Sequence, residues 1–240
     1  MRKFHRAVLI SAVVATIALA GAIAASAEPV ASGPSFTAVP GVTAGRSPDG
    51  LGTWSVHYQR IDGGDPDIAA AINDGIDAEA TRQVQRETWD ASTRRPWTFD
   101  AAGTAYFRSI TVAELFVGKY DTDEPTMPID TVATAVLDNR SGIFITWDNL
   151  FGDKDAGLTR LSEQTEAILP TVYAEPHRGY WRTSGAFAPL DINFKYWIPT
   201  AQGIELHFPD YQFGRGLKVI TVPWAKVADL IAPEFLPIMA

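Results

Sequence analysis

The chain has 240 residues, with 20 Lys and Arg against 28 Asp and Glu, a net charge of −8, and no cysteine. That balance argues against nucleic acid and anionic membrane surfaces as partners, because both need positive charge on the protein. Without cysteine there are no disulfide staples and no thiolate metal sites, so apolar packing must hold the fold.

The first residues read as processing information. MRKFHR is basic, AVLISAVVATIALAGAIA is apolar, and Ala25-Ser26-Ala27 offers the small-x-small pattern of a cleavage site. The pattern predicts a signal peptide over residues 1–27, cut after Ala27, and a secreted protein with no stable membrane insertion. A retained anchor is the alternative, since the apolar run approaches bilayer-spanning length; its alanine content and its cleavage site favour removal. Cleavage would take away Arg2, Lys3 and Arg6 and no acid, leaving the exported chain more acidic still. Residues 28–50 are rich in Pro, Gly and Ser and read as a flexible leader. Residues 51–240 show no internal linker and read as one domain.

That domain opens with WSVHYQRI, residues 54–61, whose apolar residues alternate with polar ones at the period of a half-buried strand. Asp65 is placed to cap a helix with Pro66 at its first position, and Ile68, Ile72, Ile76, Ala80 and Val84 form its apolar stripe. From Ala105 to Trp147 the pattern is β-like, with TVATAVLD, a tight turn over 138–142 and SGIFITW reading as strand, turn and strand. DNLFGDKDAGLTRLSEQTEAILP predicts a second helix, with Leu158, Leu161, Thr165, Ile168 and Leu169 on one face and Pro170 after its end. INFKYWIP, a turn at TAQG, and GIELHF then LKVITVPW read as strands, and PWAKVADLIAP as a short C-terminal helix. The order predicts an α+β fold on a mixed or antiparallel sheet, with two main helices and that short one.

Chemistry is harder to find. The G-x-S-x-G elbow of serine hydrolases is absent. His177, near Ser184, is the best-placed imidazole for a base, so His177 and Ser184 are the catalytic candidates. His207 reads as a surface residue on the polar side of a strand. The acids Asp62, Asp65 and Asp67, then Asp121, Asp123 and Glu124, then Asp153 and Asp155 sit at turns and helix starts, where capping explains them. Neither an EF-hand loop nor a histidine pair at metal spacing is present. Aromatic residues crowd the last third, and Tyr180 and Trp181, flanked by Arg178 and Arg182 in a predicted loop, are the candidates for binding a ligand or partner.

The order of pieces resembles an exported family that includes the secreted immunogenic antigen of mycobacteria and the lysozyme-sensing outer domain of RsiV-type anti-sigma factors. WSVHYQRIDGGDPDIAAAINDGID, with Asn73, looks like that family's opening strand, turn and helix. SGIFITWDNLFGD looks like its strand before the "dLf" element, and FKYWIPTAQGIELHFPDYQFGRGLKVITVPWAKVADLI like its closing hairpin, last strand and short helix. The family's glycine-rich segment with a histidine is replaced here by DEPTMPID. The resemblance implies an α+β fold, export and no cofactor. Among relatives it offers binding of proteins such as lysozyme, or esterase activity, and it transfers no catalytic residue. Two readings follow: a secreted non-catalytic protein that binds an extracellular protein or a cell-wall glycan, and a secreted carboxylesterase acting on short acyl esters.

Overall fold

The computed structural model describes residues 35–89, 91–175 and 179–240, so the expected signal peptide lies outside the described residues. The α+β expectation holds. Eight strands form two sheets, one of five strands in the order β1-β2-β3-β4-β5 and one of three in the order β6-β7-β8. Strands β1 (Phe36–Arg46), β2 (Gly52–Gly63), β3 (Trp97–Phe107), β4 (Thr111–Thr122) and β5 (Ile129–Asp138) make the larger sheet. All its neighbours are antiparallel except β2 and β3, which run parallel because helix α1 (Pro66–Trp89) crosses between them.

Asp65 caps α1 as expected, its carboxylate accepting the backbone N–H of Asp67 and Ile68 at 2.9 and 3.2 Å. Ile72, Ile76 and Ala80 are fully buried, and they pack with Val56, Phe99, Val112, Phe116 and Leu137 of the sheet. Gly75 sits on the same stripe for a steric reason: a Cβ there would come within 2.7 Å of Leu137.

Among the described residues, the opposite face of the larger sheet is covered chiefly over β4 and β5. There β6 (Tyr196–Pro199) lies against both strands, and β7 (Gly203–Phe208) and β8 (Lys218–Pro223) extend the small sheet. Helix α3 (Lys154–Val172) packs beyond it against β8, burying Leu158, Leu161, Thr165 and Leu169 as the periodicity predicted. The stretch 203–224 is therefore two paired strands and their connection, as its alternation implied.

Several expectations are corrected. The leader is not wholly a leader: residues 36–46 pair with β2 along their whole length. Its Pro and Gly content misled because β1 is an edge strand. Ser47 donates to Gly52 O across the ladder, which turns the backbone groups of the odd residues 37–45 toward β2 and those of the even ones away. Pro40 thus sits where no donor to β2 is needed. The sheet also begins a third strand at Trp97, ahead of the predicted β region. SGIFITW makes only an isolated bridge, Phe144 to Leu137, because the segment leaves the β5 edge to enter the four-residue helix α2 (Trp147–Leu150). The predicted second helix is broken at Phe151, whose extended backbone separates α2 from α3. Pro170 lies inside the last turn of α3, where the lost N–H costs a single terminal bond. The C-terminal helix is a series of 3-10 turns at Trp224–Lys226, Ala228–Leu230 and Pro233–Met239. His207 is buried, 7% exposed, because the small sheet turns its Glu205 and His207 side toward the larger sheet, where partial burial and nearby Glu205 raise the pKa of Tyr106.

One feature of β2 sets the position of α1. Parallel pairing with β3 stops at His57 and Ala102, so later odd residues of β2 present backbone groups with no strand beside them. Asn73 of α1 fills the gap. Its Oδ1 accepts from Ile61 N at 2.8 Å and its Nδ2 donates to Ile61 O at 2.9 Å, as a neighbouring strand would. Asn73→Ala is expected to lower the unfolding free energy by about 2–4 kcal/mol, since two half-buried backbone groups lose their partners. Asn73→Asp, which keeps only the acceptor, should lose less. Urea denaturation of the three proteins checks the order; equal midpoints for wild type and Asn73→Ala would refute it.

Candidate functional site

Helix α4 (Tyr180–Thr183) carries three of the residues singled out from the sequence, Tyr180, Trp181 and Arg182. Gly179, at φ 81°, turns the chain into it, and the Glu175 carboxylate accepts Gly179 N at 3.0 Å and Trp181 N at 2.8 Å. Those backbone donors, Trp181 first, hold the Glu175 carboxyl below its ordinary range. The start of α4 is thus tied to an acid.

The candidates separate once placed. Trp181 is 1% exposed, edge-on to Phe187 and Phe213 at centroid distances of 6.3 and 5.6 Å. Its assignment as a ligand platform is corrected: the indole is part of the core, because the short helix turns it inward. Tyr180, the next residue back, points outward and is 49% exposed. Arg182 is exposed and paired with Glu166 of α3. Ser184 caps the end of α4, its hydroxyl donating to Trp181 O at 3.1 Å. His177 and Arg178 lie outside the described residues.

The two other histidines of the domain are placed as follows. His207 Nε2 is 2.9 Å from Glu205 Oε1, with no hydroxyl in the pair. His57 Nε2 is 2.9 Å from Ser55 Oγ, on the open face of the larger sheet. Ser55 stands opposite Asp100 in the register, so the acid flanks the hydroxyl rather than the far side of the imidazole. A base oriented by a carboxylate needs the reverse order. Among the described residues no three His, Asp or Glu side chains converge to hold a metal.

A cavity of about 260 Å³ opens at the β5 edge, lined by Thr134, Thr146, Trp147, Asp148, Lys195 and Trp197 among others. That is below the size of an ordinary small-molecule pocket. Trp147 and Trp197 stack at 4.7 Å in its wall, and Lys154 bridges Asp148 and Asp191 at 2.9 and 2.5 Å. Lys195 has no carboxylate within ion-pairing distance among the described residues; partial burial, then Arg86, lower its pKa.

Loops around α4 expose more apolar surface than any catalytic signal would have drawn attention to. Tyr180, Leu190, Ile192 and Tyr211 are 49, 55, 66 and 52% exposed. The loops are tied together: Asn193 Nδ2 donates to Gly185 O and Ala188 O, and Gln212 Nε2 donates to Asn193 O. Leu190 and Ile192 were missed because isolated apolar residues in a loop carry no periodicity, and Tyr211 because, among the aromatic residues that crowd the last third, it reads as a core or strand residue.

One buried acid has the perturbed pKa of a catalytic group without its access. Glu114 on β4 is fully buried, and its Oε1 accepts Gln59 N at 2.8 Å beneath Gly103, where any side chain would collide with it. Burial pushes its pKa up to about 8 against the smaller opposing effect of that hydrogen bond. The folded state therefore keeps the proton to about pH 8, while the unfolded chain releases it near the ordinary 4.5. The protonated acid's stabilisation is complete below pH 4.5 and is lost as pH rises to 8. Relative to Glu114→Gln, wild type should lose on the order of 3–5 kcal/mol across that window. Unfolding free energies measured at pH 5 and 8 check this; a constant difference between the two proteins would refute it.

No family model and no curated protein matches the sequence. Solved structures do. A DUF3298 family member from Bacteroides fragilis superposes with a TM-score of 0.54 at 10% identity, covering 85% of this chain and 96% of that one. A DUF3298 family protein from Pseudomonas aeruginosa gives a TM-score of 0.48 at 10% identity, over 86% and 98% of the two chains. The fold of this chain is thus that of the Bacteroides DUF3298 structure.

Proposed function

We propose that this is a secreted, non-catalytic binding protein of the cell envelope or the extracellular medium, and a divergent member of the antigen and RsiV-like family that its sequence resembles. The observation that carries the reading is the set of loops around α4. They expose Tyr180, Leu190, Ile192 and Tyr211 while hydrogen bonds and the buried Trp181–Phe213 contact hold their backbones fixed. Large apolar side chains on pre-organised loops lose little entropy on association, the usual property of residues that dominate an interface. An extracellular protein or a cell-wall glycan fits such a surface, and an acidic chain fits a basic protein partner.

The carboxylesterase reading gains less. Ser184 Oγ donates to Trp181 O, and among the described residues the serine that meets an imidazole is Ser55, on the open face of the sheet.

Two measurements test the proposal. Lysozyme and insoluble peptidoglycan serve as probes, by biolayer interferometry and co-sedimentation. The double variant Ile192→Asp/Tyr211→Ser is expected to weaken the retained probe at least tenfold, about 1.4 kcal/mol, with an unchanged melting temperature. Hydrolysis of p-nitrophenyl butyrate should stay at the rate of heat-denatured protein. Turnover that Ser184→Ala abolishes would establish the esterase instead, and equal binding by wild type and the double variant would remove these loops from the interface.

A further inference from the structure

The two edges of the larger sheet are treated differently. On β5 outward backbone groups at both ends are occupied: Asp138 N donates to Ile143 O at 2.9 Å, Ile145 N to Val136 O at 2.8 Å, and Asp130 N to Asp210 Oδ2 at 3.3 Å. On β1 the outward groups have no partner among the described residues. They are the N–H groups of Phe36, Ala38, Val42, Ala44 and Arg46, and the carbonyls of those residues and of Pro40, by the ladder parity that Ser47 and Gly52 set.

Free edges are normally blunted by lysines, bulges or short length. This one is eleven residues long, pairs with β2 in unbroken register, and carries neither a lysine nor an acid from Phe36 to Arg46. Its protection is Pro40 alone. Both flanks present apolar surface. On one, Ala38, Pro40, Val42 and Ala44 follow one another, with Val42 58% exposed. On the other, the rings of Tyr58 and Trp54 lie over Gly41 and Gly45, where a Cβ would come within 2.7 and 2.5 Å of them.

We propose that β1 is a self-association edge, pairing antiparallel with β1 of a second copy of this chain to make a continuous ten-stranded sheet. Charge selects that partner. In a chain of net charge −8, the edge is a stretch along which two copies can meet without bringing carboxylates together. Geometry selects the register. With the two-fold axis at Gly41, Phe36 faces Arg46 of the copy, Ala38 faces Ala44, and Pro40 faces Val42. Each outward residue then meets an outward residue, and each proline forfeits one bond, leaving about ten backbone hydrogen bonds. Arg46, the strand's one charge, lies at opposite ends, about 34 Å from its copy. The side-chain alternation is preserved, so Val42 and Pro40 of both copies close over each other while the four aromatic rings line the other face. This association is independent of the α4 loops.

The test uses analytical ultracentrifugation of the purified protein from 1 to 200 µM, with Val42→Lys and Val42→Pro. Val42 N–H points away from β2, so neither change removes a bond within the chain, and circular dichroism and melting temperature confirm folding. Wild type is expected to sediment as a dimer, and both variants as monomers, with the self-association constant lowered at least a hundredfold. Because the chain has no cysteine, Arg46→Cys takes a single spin label, and the expected label-to-label distance is about 35 Å. A monomeric wild type at 200 µM would overturn the proposal. So would a dimer that survives both Val42 substitutions, or one whose labels lie under 20 Å apart as a parallel pairing requires.

Discussion

Past His57, β2 parts from β3, and the architecture depends on how the exposed backbone of that splayed half-strand is satisfied. A buried N–H or C=O without a partner costs as much as a lost hydrogen bond, so the gap has to be filled. Two side chains fill it, and a third, from β2 itself, satisfies the facing strand β3. Asn73 reaches from α1 to both backbone groups of Ile61, Glu114 reaches from β4 to Gln59 N, and Gln59 Oε1 accepts from Ala105 N at 3.3 Å. The consequence is rigid placement of α1 on β2, with Ile72 and Ile76 delivered into the sheet at the depth Gly75 permits.

That solution has a cost at Glu114. The acid is held in an apolar layer by a single backbone donor, and its second oxygen has no partner among the described residues. Neutral, it is a tolerable hydrogen-bond acceptor; ionised, it is an unpaired buried charge. Perturbed pKa values mark functional sites only when a ligand can reach them. Here Gly103 closes over the carboxylate, and the perturbation belongs to the fold.

The two clusters of buried side chains divide the labour. One joins α1 to the larger sheet; the other joins the small sheet, α3, α4 and the C-terminal turns, with Ala113 and Val136 of β4 and β5 contributing from the larger sheet. Because the small sheet lies chiefly over β4 and β5, the outer face of β1 and β2 stays open among the described residues. Surfaces available for recognition are consequently of two kinds: loops with apolar side chains around α4, and a sheet edge with neutral backbone. Neither resembles an enclosed reaction centre.

The sequence by itself determined the pieces whose signal is local. Asp65-Pro66 and the isoleucines of α1 specify a capped helix, and the alternation in GIELHF and LKVITVPW specifies a strand pair, whatever lies around them. The α+β class followed from that order. It also singled out Asn73 and the Trp181 segment without saying what either does. Tertiary structure decided everything that depends on which face is covered. Strand β1 was hidden because Pro40 and the glycines are turn residues anywhere except on an edge, where the missing donor faces outward. His207 went inside because a second sheet lies over its polar-looking side, and Trp181 went inside while Tyr180 stayed out because a four-residue helix points consecutive side chains in different directions. Period-two and period-3.6 patterns report that a segment has two faces; only the packed neighbours determine which of them meets water.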